Sequence, residues 1–464
     1  MPVQIVDRER ELEQLRGHAA HPPALVVLRG RRRVGKSFLL RVALADQPRL
    51  ISYQAEERPA APQLEAFAAE CARIVPGNPP LAFASWADAF AFLEAQARDG
   101  GPLVVVLDEF QRIAASDAGI ESVIQNAWDR FDHEQVPITL ILCGSALSFM
   151  DGLFQGGKPT HGRSTYRPLL LPLSYRDIAP FSPPALDEIA LIERFSVLGG
   201  APQYQRWAGQ RPLPDVLRDV ILTPDGPLYD DPEHLIREEE AIRGRASYFG
   251  VLEAIARGAS NPTAIGGRIG QTSQAVTQLL NRLAQLGYVV KVEPVEPRHT
   301  GRSRGYWKIA DPYFRFWFAR VLPNRSRLAR GRTDEVADEI LAGLPGFTSF
   351  VFEDCCREWI ARHSQLGADA DEIGSWWSRR SDVEVDVAAV HNDRYTLLGS
   401  CKWTTQPFAN SDLIELETAR DVIGPKAARA ALVAFSKSGF TEHVEERAAL
   451  GEVRLFRPVD LFGP

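Results

Sequence analysis

The chain has 464 residues, 45% hydrophobic and 24% charged, a globular balance too long for one ordinary core, so two to four domains are expected. No apolar run approaches the ~18–20 residues that cross a bilayer, and the start, MPVQIVDRERELEQL, lacks the basic-then-apolar pattern of a secretory signal, so a cytoplasmic protein is expected. The net charge of −7 requires any polyanionic partner to meet a local basic patch, and the odd cysteine set (Cys71, Cys143, Cys355, Cys356, Cys401), with no C-x-x-C pair, reads as reduced thiols of a cytoplasmic protein.

The first informative stretch is ALVVLRGRRRVGKSFLLRVAL, a buried strand, a glycine-containing loop and an amphipathic helix. The loop fits G-x-x-x-x-G-K-[ST] through Gly30, Gly35, Lys36 and Ser37. The glycines let the backbone aim N–H groups at phosphate oxygens, and the following helix presents its positive end to the same anion. Lys36 is expected to reach the β- and γ-phosphates of ATP, and Ser37 to ligate Mg²⁺. The whole run Gly30, Arg31, Arg32, Arg33, Val34, Gly35, Lys36, Ser37 and Phe38 is then the nucleotide-binding segment. The three arginines add positive potential beside phosphate, and no further reason for them is visible.

Next comes GPLVVVLDEFQRI, whose continuous apolar run suits a parallel strand buried on both faces. Acids at its carboxyl end stand where α/β sheets place ligands. Asp108 is assigned to Mg²⁺ through a water, and Glu109 to orienting and deprotonating the attacking water. A further buried strand, PITLILCG, is followed by Ser145, placed to sense the γ-phosphate or simply to end the strand. Arg163 either neutralises transition-state charge, in this chain or a neighbouring one, or forms a surface ion pair.

Residues 166–245 show helical periodicity broken by FSPPA and TPDGP, a small helical lid. Residues 246–312 read as three short helices and a β-ribbon, a winged helix-turn-helix. Thr272 is the expected N-cap of the third helix, with Ala275, Leu279, Leu280, Leu283 and Leu286 toward the core. Ser273, Gln274, Thr277, Gln278 and Arg282 remain as a polar face able to meet DNA base edges. Arg298, His299, Arg302 and Arg304 at the ribbon tip are candidates for phosphate or minor-groove contact. The alternative use of such a module is internal, closing on bound nucleotide. Residues 313–345 form a basic helical linker whose Phe314, Phe316, Trp317 and Phe318 are read as docking residues.

Residues 346–464 make the last domain. EVDVAAV and YTLLGSCKW are adjacent strands of a hairpin turning at His391-Asn392-Asp393. Alternation puts Glu384 and Asp386 on one strand face, and Ser400 with Lys402 on one face of the next. A metal-dependent nuclease needs carboxylates for Mg²⁺ and a lysine to activate water or stabilise charge, and here a serine stands where a second acid is expected.

Taken together, VDREREL, GRRRVGKS, VVVLDEFQ, LILCGS, PLLLPLSYRDI, GGAPQY, FEDCCREWI and EVDVAAV…CKW resemble the archaeal-type P-loop ATPases. That family falls in the signal-transducing, AAA-like class of ATPases with numerous domains and carries a C-terminal PD-(D/E)XK nuclease-like domain. The resemblance implies an α/β fold: a parallel P-loop NTPase sheet over 1–165, the lid, the winged helix, the linker, and a restriction-endonuclease-like α/β domain. It implies that Pro202 lies on a lid helix near the nucleotide. It also implies that Asp386 is the first nuclease carboxylate, position 400 the acid, Lys402 the lysine and Glu353 the acid of the preceding helix. Ser400 departs from that pattern, so the metal must be reached by Glu384, Glu415 or Glu417 if cleavage is kept.

The reading is an ATPase binding ATP or ADP with Mg²⁺, switching DNA or protein-partner binding through the winged helix and a degenerate nuclease-like domain. The alternatives are an ATP-regulated DNA endonuclease and a scaffold that holds nucleotide without turnover. Glu109 speaks against the scaffold, because pure binding needs no base. The sequence sets no oligomeric state.

Overall fold

The structure is a computed structural model. It describes residues 5–75, 77, 80–153, 162–238, 245–297, 305–363, 366, 369–378, 380 and 382–463. The chain forms two compact units: Met1–Pro172 with Ala201–Gln203 and Arg237–Arg243, and Leu173–Gly200 with Tyr204–Ile236 and Gly244–Pro464.

The first unit is built on four parallel strands, β1 (Ala24–Arg29), β2 (Leu50–Gln54), β3 (Leu103–Asp108) and β4 (Ile138–Gly144), in the order β1-β4-β3-β2. Every residue of β3 and β4 is buried, as continuous apolar runs predict for a sheet covered on both faces. Phe67, Trp86, Phe90, Trp128 and Phe131 pack one face, and Leu15, Leu39, Leu40 and Leu170 the other. Along the free side of β1 runs the segment after Arg163: Val27 N–H donates to Tyr166 O at 2.9 Å and Leu170 N–H to Arg29 O at 2.7 Å.

The second unit begins with helical segments. Arg194 of the helix Glu188–Leu198 is fully buried and donates to Gln205 Oε1 (3.2 Å), Arg211 O (3.0 Å) and Gly209 O (2.7 Å). Its buried guanidinium thus satisfies three acceptors that turns would leave open. The winged helix follows, with helices Arg245–Ala256, Pro262–Ile269 and Ser273–Gln285 and the antiparallel ribbon of β5 (Val289–Val292) and β6 (Tyr306–Ile309). Asn261 caps the second helix through Ala264 N–H (2.9 Å), and Thr272 caps the third through Ala275 N–H (3.3 Å), as its sequence predicts. Leu280, Leu283 and Leu286 are buried, joined by Val276, while Ala275 and Leu279 stay half-buried.

Phe314, Phe316, Trp317 and Phe318 are all 0–1% exposed, so they dock the chain rather than stack on a ligand. Nor is the arginine-rich stretch a free basic surface: Arg325 pairs with Glu233 (2.6 Å), Arg327 with Glu339 (2.6 Å) and Arg332 with Glu335 (2.6 Å). One helix, Thr333–Arg362, runs straight through the boundary expected at 345/346 and ties both sides of it together. Its buried residues Phe352, Cys355, Cys356 and Trp359 pack on the last sheet.

That sheet is mixed, in the order β11-β10-β9-β8-β7: β7 (Glu372–Trp377), β8 (Glu384–His391) and β9 (Arg394–Lys402) antiparallel, then β10 (Ala431–Ser436) and β11 (Arg454–Phe456) parallel. The β8–β9 hairpin turns at Asn392 (φ 48°) and Asp393 (φ 63°), the left-handed pair that matches strand twist. No helix among the described residues is long and apolar enough to cross a membrane.

Candidate functional site

After β1 the chain turns through Gly30–Gly35 into the helix Lys36–Ala43. The turn needs left-handed backbone at Arg33 (φ 72°) and Gly35 (φ 95°). Glycine takes this freely, whereas an arginine is strained by roughly 1–2 kcal/mol, a cost expected where backbone amides are being aimed. Gly30 is required for space, since a Cβ there would stand 2.7 Å from the Leu170 carbonyl oxygen. Val34 is buried and anchors the loop in the core.

Lys36 is 6% exposed, and its ammonium donates to Gly30 O (2.8 Å) and Arg31 O (3.1 Å). Its bonded acceptors are therefore neutral carbonyls of the loop, an arrangement that suits an added anion. Ser37 Oγ donates to Asp108 Oδ2 at 2.6 Å, and Asp108 Oδ1 accepts Glu109 N–H at 2.9 Å. Hydroxyl and carboxylate side by side form the oxygen donor set that a hard divalent cation prefers.

Glu109 itself has left-handed backbone (φ 55°). Its Oε2 accepts from Ser145 Oγ (2.8 Å) and from Gln111 Nε2. Burial pushes the Glu109 carboxyl up, but the Lys36 charge, the Ser145 and Gln111 hydrogen bonds and the Arg32 charge outweigh it and leave the pKa below the ordinary value. Glu109 is thus ionised at neutral pH, the state a proton acceptor needs. Asp108, Glu109 and Ser145 stand at the carboxyl ends of the neighbouring central strands β3 and β4, beside the loop that leaves β1.

Gln111 was not singled out from the sequence. It is 5% exposed, bridges Glu109 and Ser145, and has a buried Oε1 without a hydrogen-bond partner. The available signal was a polar residue two places after Glu109, at the start of a helix whose neighbours are apolar. Arg163 donates through Nε and Nη2 to Asp129 at 2.6 and 3.0 Å, so its guanidinium is engaged in a surface pair. Pro202 lies in the short segment that belongs to the first unit, where Gln203 N–H meets Arg33 O at 3.4 Å. Arg31, Arg32 and Phe38 are half-buried and Arg33 exposed.

On the winged helix, Ser273, Gln274, Thr277 and Gln278 are exposed as expected, while half-buried Arg282 bonds Gln285 at 3.1 Å. Arg298, His299, Arg302 and Arg304 lie outside the described residues.

In the C-terminal domain Glu353, Glu384 and Asp386 share one pocket. Asp386 Oδ2 accepts from Cys401 N–H (2.6 Å) and Ser400 Oγ (3.2 Å). Lys402 pairs instead with Asp412 (3.2 Å), and Glu417 is held by Arg447 (2.6 Å). Burial, then Asp386, push the Glu353 carboxyl up to about 8 against the pull of Arg357. Burial likewise raises Glu384 and Asp386. Asp354, beside Glu353, is lowered: burial is outweighed by Lys308 and Arg357. Among the described residues no group of three or more His, Cys, Asp or Glu side chains is arranged to hold a metal ion.

Three family models match the chain. Residues 5–204 match an ATPase domain predominantly from Archaea, residues 245–302 the MarR family, and residues 317–416 a family described as archaea bacterial proteins of unknown function. No curated protein matches. Among solved structures the chain is similar to the Walker-type ATPase paby2304 of Pyrococcus abyssi, with 20% identity over 68% of this chain and 96% of that chain and a TM-score of 0.48. It is also similar to the ORC2 protein of Aeropyrum pernix, solved with ADPNP and ADP, with 14% identity over 74% and 96% of the two chains and a TM-score of 0.43. A third likeness is to Cdc6p from Pyrobaculum aerophilum, with 16% identity over 72% and 96% and a TM-score of 0.36.

Proposed function

We propose that this chain, an archaeal-type P-loop ATPase with a winged helix and a C-terminal mixed-sheet domain, hydrolyses ATP and uses its nucleotide state to set how it holds DNA. The observation that carries the reading is the gathering of Lys36, Ser37, Asp108, Glu109 and Ser145 at the carboxyl ends of the sheet strands, with Ser37 Oγ and Asp108 Oδ2 2.6 Å apart.

The loop amides and the Lys36 ammonium bind and orient the triphosphate, replacing the water lost on binding. Ser37 and Asp108 would hold Mg²⁺, which when bound neutralises charge on the β- and γ-phosphates. Glu109, ionised and fixed by Ser145 and Gln111, accepts the proton of the attacking water at its free carboxylate oxygen. Ser145 couples that carboxylate to the end of β4, so movement there changes where the base sits. The winged helix supplies the DNA-facing surface through the polar face Ser273, Gln274, Thr277 and Gln278.

A nuclease-shaped module that binds without cutting is favoured for the last domain. Asp386 already accepts two hydrogen bonds, Lys402 is taken by Asp412, and Ser400 replaces an acid. The test pairs ATP hydrolysis with salt-dependent DNA binding, with and without ATP. Lys36→Ala should weaken ATP binding by about tenfold or more, the worth of one charged hydrogen-bonding group, and remove the effect of ATP on DNA affinity. Hydrolysis at the wild-type rate by Lys36→Ala, or turnover unaffected by a chelator, would overturn the mechanism.

A further inference from the structure

The polar face of the winged helix is not open to solvent on all sides. Ser273, Thr277 and Asn281, three residues on one helix face at four-residue spacing, line a cavity of about 1150 Å³. Its other walls are Lys291 and Tyr306 of the β5–β6 ribbon, and Trp377 of the C-terminal sheet. Gln274, Gln278 and Arg282 do not line it. We propose that the winged helix and the C-terminal sheet form one groove that takes a single strand of DNA, with Tyr306 and Trp377 as its stacking platform. The proposal rests on the reading that the winged helix meets DNA and names the form of DNA it takes.

Three observations carry it. The walls are fixed to one another: Val295 N–H donates to Ser375 O (2.9 Å), Tyr395 Oη donates to Val295 O (2.9 Å), and Lys308 bridges to Asp354 at 2.7 Å. Val295 is 2% exposed, within the core of the C-terminal domain. The groove is therefore a built feature within the second compact unit.

Its shape suits a strand better than a duplex. A helix reads duplex DNA by projecting into a groove about 12 Å wide. Here the face of Ser273, Thr277 and Asn281 shares its groove with Trp377 and Glu384 on the opposite wall, a cleft that suits a strand, while Gln274 and Gln278 stay exposed outside it. The volume of about 1150 Å³ exceeds the roughly 300–1,000 Å³ of small-ligand sites.

Its chemistry suits unpaired bases. The Tyr306 and Trp377 rings lie 5.5 Å apart at 47°, and both are half-buried, with ring surface left to the groove. Unpaired bases stack on such rings whatever their sequence, while side-chain hydroxyls and the Asn281 amide can bond base edges. Among the described lining residues charge is nearly balanced: Lys291 is paired with Glu293 (2.5 Å), and Glu384 stands in the wall. Binding should therefore depend on stacking more than on counterion release, with a shallow salt slope.

The experiment measures binding of the full chain to a single-stranded oligonucleotide and to a blunt duplex of the same sequence, across salt concentrations. The wild type is expected to prefer the single strand. Trp377→Ala should lose about tenfold in single-strand affinity, the effect of one base–ring stack, with duplex affinity unchanged, and Trp377→Phe should restore most of it. Photo-crosslinking of a bromouridine-containing strand to the wild type should mark the Tyr306 and Trp377 peptides, a readout that survives any folding defect of the variants. Duplex preference with crosslinks only on Gln274, Gln278 or Arg282 would overturn the groove while leaving DNA binding intact. Absence of binding to either form would overturn the DNA reading itself.

Discussion

Glu109 and Glu353 are two half-buried carboxylates driven in opposite directions by their neighbours. Around Glu109 the cations and hydrogen-bond donors win, so the acid stays ionised. Removing its charge by Glu109→Gln should lower hydrolysis about 10²–10⁴-fold, the usual worth of a positioned base, with ATP binding retained. At Glu353 burial and Asp386 win, and its pKa rises to about 8. An acid whose folded pKa lies above its unfolded value favours folding least in the ionised form, so stability should fall as pH rises from about 4.5 to 8. Glu353→Gln should remove that slope. It should be near neutral at pH 5 and stabilising at pH 9 by an amount on the order of a few kcal/mol, read by denaturant unfolding at both pH values. A pH-independent difference would show that the carboxyl is not buried beside Asp386. The placement of the loop residues and of Asp108 and Glu109 was legible in the sequence because each sits within a few residues of the end of its own strand. Gln111 was not, because its partner Ser145 arrives from another strand.

At the level of elements, strands and caps followed local rules. The Thr272 cap, the Asn392-Asp393 turn and the buried runs of β3 and β4 are each set by neighbouring residues. What periodicity could not show is how elements join across the chain. The helix Thr333–Arg362 crosses an expected domain boundary because one face packs continuously on its neighbours despite Pro345 inside it. In the basic stretch before it, Arg325 pairs with an acid distant in sequence, Glu233. The turn at Gly200 is just as non-local: a Cβ there would stand 1.9 Å from the Leu173 carbonyl oxygen. Gly200→Ala should therefore destabilise the second unit by about 1–3 kcal/mol or more, since a backbone atom must move. A melting temperature unchanged from wild type would contradict that packing. Val295→Asp should loosen the winged helix and the C-terminal sheet together, seen as faster amide exchange in both rather than in the ribbon alone.

For the molecule as a whole, a parallel four-stranded sheet accounts for one compact unit, and the helical segments, winged helix and mixed sheet for the other. If nucleotide state governs DNA binding, ATP and DNA must change each other's affinity by the same factor. In the proposed mechanism the loop Gly30–Ser37 holds a triphosphate, and Asp108 and Glu109 handle its hydrolysis. Calorimetric titration of ATP into wild type and Glu109→Gln, followed by single-turnover hydrolysis in both, tests it most directly. The two proteins should take up ATP equally, with hydrolysis slowed by about a hundredfold or more in the variant. No uptake by either folded protein, or hydrolysis by the variant at the wild-type rate, would contradict it.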